Sequence, residues 1–135
     1  MAQFVTTKLV EGPANLVLHT VFLSDGVEGE LENAILLSPA DLDPPLSASP
    51  HLIVMEVWYS MVWFDIVLSW GDVVPRPFLV LARDTNVTNC FHRFGGVPDK
   101  GTTPPAGQNG NLLISTNGFA PAGSQGSLTI EFRKR

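Results

Sequence analysis

The sequence predicts an all-β fold, an antiparallel sandwich or barrel of about eight to nine strands. Three observations carry that expectation. The 135 residues include 12 glycines and 11 prolines spread along the whole length. They punctuate short runs rich in Val, Ile, Leu, Phe and Trp, the texture of many short strands joined by turns. The clearest runs alternate apolar and polar residues with a period of two, which puts the two sets on opposite faces of a strand. At 135 residues the chain has the length of one domain, taken as residues 1–135.

The last strand shows the alternation best. Leu128, Ile130 and Phe132 interleave with Ser127, Thr129, Glu131 and Arg133, so one face is buried and the other meets water or a partner. With one polar face, this strand is a candidate edge that pairs with a neighbour. In the middle of the chain, His51 to Met61 and Val62 to Trp70 read as a hairpin of two central strands, with a turn near Ser60 to Val62. Phe64, Ile66, Leu68 and Trp70 form the core set of the second strand, because the alternate set contains Asp65. Further strands are expected over Phe4 to Val10, Asn15 to Leu23, Glu32 to Leu37, Phe78 to Arg83, Asn89 to Phe94 and Asn111 to Thr116. Asp25-Gly26 supplies a turn after the second of these. Pro75 and Pro77 hold the chain extended before Phe78. Ser38 to Pro50, Gly95 to Gly110 and Gly118 to Gly126 read as loops rich in Pro, Gly, Ala or Ser. Long loops of this kind are commonly functional.

Composition narrows the function classes. Charged residues make up 16%, against about 25% in ordinary soluble proteins, which favours a surface partly covered by a partner. A net charge of −5 argues against nucleic acid, which needs clustered Lys and Arg to displace counterions. The single cysteine, Cys90, rules out an intrachain disulfide and a multi-cysteine metal site. Met1-Ala2-Gln3-Phe4 lacks the basic and apolar regions of a signal peptide, so synthesis in the cytoplasm is expected. Glu56, Ser60 and Asp65 interrupt the longest apolar stretches, so no membrane span is expected.

Each candidate for chemistry has a simpler reading. Asp25, Glu28, Glu30 and Glu32 lie near glycines, but their spacing does not match a calcium loop and a solvated hairpin turn explains them. Asp41 and Asp43 are too close, in a proline-rich loop, to face each other across a glycosidase cleft. Cys90 and His92 share a strand face as a thiolate–imidazole pair would, yet a core cysteine beside a half-buried histidine accounts for them. His19, His51 and His92 are scattered rather than spaced for zinc. Trp58, Trp63 and Trp70 could stack on sugars, but their apolar surroundings favour core or interface packing. No catalytic residue, cofactor or metal is expected.

One ordered set of motifs carries a resemblance. Ile66-Val-Leu-Ser-Trp70-Gly-Asp is followed by Arg93-Phe94-Gly95-Gly96-Val-Pro, then by Gly110-Asn-Leu-Leu-Ile-Ser-Thr116-Asn-Gly118. Gly123-Ser124 and Ser127-Leu-Thr-Ile-Glu-Phe-Arg-Lys134 complete the series, and Lys8-Leu-Val-Glu-Gly-Pro13 and Ser24-Asp-Gly26 extend it to the N-terminal part. The chain resembles small tailed-bacteriophage virion structural proteins over most of its length. The resemblance implies a jelly-roll-like β-sandwich without catalytic residues. It further implies a capsid decoration or cement protein, made in the host cytoplasm and bound to the outer shell of the virion.

The partners so implied are the major capsid protein and further copies of this chain, as a dimer or trimer. The expected contact residues are Asp41, Asp43, Pro44, Pro45, Pro98, Pro104 and Pro105 in the two proline-rich loops, with Arg133, Lys134 and Arg135 at the C-terminus. An acidic chain is expected to approach a basic patch on the shell. A head–tail connector or tail component is the alternative within the same class. From other classes, a carbohydrate-binding sandwich for host attachment requires the tryptophans exposed in a row, and a hydrolase requires a reactive Cys90 beside His92.

Overall fold

In a computed structural model the chain is described over residues 4–12, 14–27, 29–38, 42, 52–71, 75–83, 86–91, 96–98, 111–119 and 121–134. These residues form β1 (Phe4–Glu11), β2 (Asn15–Leu23), β3 (Ala34–Leu37), β4 (Leu52–Val62), β5 (Asp65–Trp70), β6 (Arg76–Leu81), β7 (Asn86–Cys90), β8 (Val97–Pro98), β9 (Leu112–Asn117) and β10 (Gln125–Lys134). Nine are full strands and β8 is a two-residue bridge; the described residues contain no helix.

Two antiparallel sheets pack as a sandwich. The first runs β1-β2-β10-β4-β7, with β8 also paired to β4, and the second runs β3-β9-β5-β6. From β2 onward, successive strands cross between the sheets, except where β5 turns directly into β6 and where β7 and β8 both pair with β4. The order β2-β10-β4-β7 facing β3-β9-β5-β6 is that of a jelly roll, the closed way of stacking two four-stranded antiparallel sheets.

Alternation along the strands builds the core. Leu16, Leu18, Thr20 and Phe22 of β2 point inward, as do Leu128, Ile130 and Phe132 of β10. Ile66, Leu68 and Trp70 of β5 meet them from the opposite sheet, after Phe64 in the preceding turn. Each of the buried Leu, Ile and Phe side chains contributes roughly 1.5–3 kcal/mol by leaving water. Phe22, Phe64 and Phe119 gather at one end, with ring centroids 4.7 to 6.2 Å apart. At the other end Trp70 stacks on Phe78 at 5.1 Å. In β4 the pairing with β10 shifts between Glu131 and Phe132. An extra β4 residue there resets the pleat, so Leu52 and Val54 enter the core together with Val57, Tyr59 and Met61.

Two expectations about connectivity are corrected. The runs around β4 and β5 are not a hairpin, because β4 belongs to the first sheet and β5 to the second. The chain turns later than expected, at Trp63 and Phe64, and Trp63 itself adopts a positive φ of 72°. Both strands are central in their own sheets, as expected. The last strand is not an edge: β10 is hydrogen-bonded on both sides, to β2 and to β4. Its polar face looks outward from the middle of the sheet.

Two of the four edge strands, β1 and β6, carry features that discourage further pairing. In β1 a bulge lies between Lys8 and Val10, and the register places Lys8 on the core-facing side, where it pairs with Glu11 at 3.0 Å. Bulges and inward-directed lysines are devices that discourage another strand from adding to an edge. On the second sheet, β6 carries Pro77, which has no N–H to offer a neighbour.

Candidate functional site

The outer face of the first sheet is assembled by cross-strand register from segments far apart in sequence. One row runs Val5, Val21, Ser127, Ser60; the next runs Thr7, His19, Thr129, Trp58, Thr88. Leu23, Gln125 and Val62 form a row toward the β4–β5 turn, and Val10, Val17, Glu131, Glu56 and Cys90 a row at the other end. All alternate with core residues and so point away from the core. The carboxylates and guanidinium lie at the far end of these rows, at Glu56 and Glu131 with Arg133 beyond; the three rows nearest the turn hold no Asp, Glu, Lys or Arg.

Exposed apolar side chains concentrate on this face. Val5 is 63% exposed, Val21 48%, Leu23 59% and Trp58 37%, and Trp63 in the adjoining turn is 57% exposed. A five-stranded sheet of nine-residue strands spans roughly 24 by 30 Å, or about 700 Å². That is close to the ~800 Å² each partner contributes to a specific protein interface. The rows without Asp, Glu, Lys or Arg occupy the turn end of that face, a smaller patch than the whole sheet, and carry its exposed Val5, Val21, Leu23 and Trp58.

Within the face lies an open hollow of about 320 Å³, lined by Val21, Leu23, Ser60, Val62, Gln125 and Ser127 with the backbone of Phe22 and Gly126. Its form follows from side-chain size. Ser60 and Ser127 sit opposite each other and are short, while Val21, Leu23 and Val62 stand higher around them. In the neighbouring row His19 Nδ1 and Thr129 Oγ1 share a 2.8 Å hydrogen bond, which fixes the imidazole against β10.

Hydrogen bonds on the other sheet have a structural role. The Asp65 carboxylate accepts from the Arg83 backbone N–H at 2.6 Å, from Arg83 Nε at 3.2 Å and from its terminal guanidinium nitrogen at 2.9 Å. That guanidinium also donates to the Asn117 carbonyl, so it ties the start of β5 to the ends of β6 and β9. Its hydrogen bond holds the Asp65 carboxyl below its ordinary value. Glu30 accepts from Thr116 Oγ1 at 3.0 Å and from the Phe119 N–H at 2.8 Å.

The acidic segment is therefore a crossing between sheets rather than a hairpin turn, and Glu30 anchors it. Asp25 makes its expected turn, accepting from the Val27 N–H at 2.9 Å ahead of Gly26 at φ 79°; Glu28 lies outside the described residues.

Of the expected contact residues, Pro98 lies in β8 opposite Ile53, while Arg133 and Lys134 lie in β10 opposite Ile53 and Leu52. Arg133 and Lys134 are thus paired sheet residues. Asp41, Asp43, Pro44, Pro45, Pro104, Pro105 and Arg135 lie outside the described residues, as do His51 and His92. Cys90 is exposed, which overturns its reading as a core cysteine. The tryptophans divide: Trp70 is buried, while Trp58 and Trp63 are exposed. Sequence reasoning passed over the outer face because its members come from five strands. The local signals were the alternation of Val21 and Leu23 with the buried Leu16, Leu18 and Phe22, and the polar set Ser127, Thr129 and Glu131 of β10.

Among the described residues, no three His, Cys, Asp or Glu side chains are grouped to hold a metal ion, and no helix is long and apolar enough to cross a membrane. Comparison with protein-family models, with curated proteins and with solved structures finds no match to the chain.

Proposed function

We propose that this chain is a non-enzymatic structural protein of a tailed-phage particle, a decoration or cement protein that binds the major capsid protein on the outer shell. The observation that carries the reading is the apolar-rich outer face of the five-stranded sheet, whose charged side chains Glu56, Glu131 and Arg133 lie at the end away from the β4–β5 turn. The whole face has roughly the area of one side of a protein interface, and among the described residues its turn end carries no Asp, Glu, Lys or Arg. The jelly roll by itself assigns no function. The order of turn motifs through Trp70, Gly96, Gly118 and the final basic strand supports the phage assignment by resemblance.

A cement protein gains from many weak contacts joined through one shell. The net charge of −5 adds long-range attraction to a basic shell surface, which speeds encounter, while apolar contact sets the lifetime of the complex. Mixing the purified protein with shells that lack it tests the reading. Co-sedimentation with the shells, with association slowing as salt rises, is the expected result. Failure to co-sediment refutes the cement role, and a salt-independent association rate refutes the electrostatic part.

The exposure of Trp58 and Trp63 favours a second reading, a carbohydrate-binding sandwich for host attachment. Binding to host-surface glycans with loss on Trp58→Ala would support it over the first. The head–tail connector alternative differs in copy number, a ring of about a dozen rather than hundreds.

A further inference from the structure

The two sheets end in four edge strands, β1, β7, β3 and β6, and these differ in how open they are to another strand. β1 carries its bulge and Lys8, and β6 carries Pro77. β3 is four residues long, and its own pairing shifts between Ile35 and Leu37. β7 has none of these features. Asn86 to Cys90 contains no Pro, Lys or Arg, and its register on β4 runs unbroken over five residues. Among the described residues no strand lies beyond it, and the side chains of Thr88 and Cys90 are exposed.

The ladder fixes which main-chain groups face outward. In an antiparallel pair, alternate residues bond to the neighbouring strand. Phe91 donates its N–H to the Met55 carbonyl at 2.8 Å. Asn89, two residues back and opposite Val57, is therefore in the same phase and bonds to β4. Thr88 and Cys90 are in the other phase. Their N–H and C=O groups point away from β4 along the free edge, and a row of such groups is a template for adding a strand.

Charge selects the occupant. Cys90 lies opposite Glu56, and Glu56 lies opposite Glu131 on its other side. Two carboxylates directly across a sheet repel each other, and Glu56 is half-buried. Among the described residues no Lys, Arg or His side chain pairs with Glu56. A strand added to β7 places one residue beside Cys90, about 10 Å from Glu56 across two strand spacings. Cysteine is short, so a Lys or Arg at that point reaches over it to the carboxylate. A second β7 offers no such group. We propose that the free edge of β7 takes an extended segment of the shell protein, joined main chain to main chain, with a Lys or Arg beside Cys90 that pairs with Glu56. In a contact of this kind the main-chain bonds supply affinity and the alternate side chains supply selection. The contact presupposes the shell-binding reading and names the element that makes it.

Amide exchange and binding, both measured with shells that lack the protein, test it. In the free protein the Thr88 and Cys90 amides should exchange freely, while β4 slows those of Asn89 and Phe91. On shells the Thr88 and Cys90 amides should slow by about tenfold or more, as newly bonded groups do. Thr88→Pro removes an N–H that β4 does not use, so the ladder to β4 stays whole while the ring blocks the edge. Its binding to shells should weaken by about tenfold, the loss of one main-chain bond. Glu56→Gln should weaken binding by about threefold and flatten its salt dependence. A wild-type denaturant midpoint establishes that Thr88→Pro is folded, and the exchange measurement on the wild type stands whatever that variant does. Wild type bound to shells with Thr88 and Cys90 exchanging as in the free protein overturns strand addition and leaves shell binding standing. So does a folded Thr88→Pro that binds as tightly as wild type. Unchanged binding of Glu56→Gln overturns the choice of a basic segment. Wild type that does not bind shells overturns the shell reading, and this occupant with it.

Discussion

Gly126→Ala isolates a single steric requirement of this core. Gly126 lies in β10 between Phe22 of β2 and Met61 of β4. A Cβ at this position would stand 2.7 Å from Met61 Sδ, 2.8 Å from the Ser60 carbonyl oxygen and 3.2 Å from Phe64 Cε1. The thioether can swing aside, but the Ser60 carbonyl belongs to a sheet fixed on both sides and cannot. Overpacking of this kind costs about 1–3 kcal/mol. Replacing glycine within a strand recovers roughly 0.5–1 kcal/mol of conformational entropy. The net expectation is a loss of about 1–2 kcal/mol. With a urea m-value of about 2 kcal/mol/M, the midpoint falls by roughly 0.5–1 M. Gly29→Ala is the control, since a Cβ there meets nothing within 4 Å, and its midpoint should stay level or rise slightly. A Gly126→Ala midpoint equal to wild type, or an equal loss in Gly29→Ala, would refute the argument that β10 is clamped between two neighbours.

Three further outcomes follow from named contacts. Asp65→Asn should lower stability by up to about 1 kcal/mol at neutral pH, the range for a partly exposed ion pair, measured by urea titration. Because the folded Asp65 carboxyl lies below 3.8, the wild-type contribution is present above that value and fades as pH falls through the lowered folded value; a difference between the two proteins that persists undiminished at pH 2 would contradict it. In dilute solution iodide should quench Trp58 and Trp63 but not Trp70, so Trp70→Phe should leave the accessible emission intact, and equal quenching of all three would contradict the packing of Trp70 on Phe78. Cys90 is exposed and should take up one equivalent of a thiol reagent without denaturant; labelling only after unfolding would contradict its place on the outer face.

Much of the fold was legible because burial leaves a period-two trace. Leu128, Ile130 and Phe132 announce their strand and its buried side, and Phe64, Ile66, Leu68 and Trp70 do the same for β5. Alternation reports which side of a strand is dry but not what lies beside it, so β10 read as an edge although it sits between β2 and β4. The β4–β5 connection was misplaced for a related reason. No glycine or asparagine marks it, because Trp63 takes up the positive φ itself. The outer face was legible only strand by strand, as the polar side of β10 and the alternation in β2; Val21, Ser60 and Ser127 become neighbours only through register. The loops nominated from proline content lie largely outside the described residues; within them Leu42 is buried in the core and Pro98 lies in β8.

The central claim, that this jelly roll serves as shell cement, is tested most directly by its copy number and position in purified particles, read together by quantitative mass spectrometry and electron cryo-microscopy. The account predicts on the order of hundreds of copies on the outer capsid surface, as an icosahedral lattice of repeated contacts requires, with the outer face of the β1-β2-β10-β4-β7 sheet covered. About a dozen copies at one vertex, or none in the particle, would contradict it.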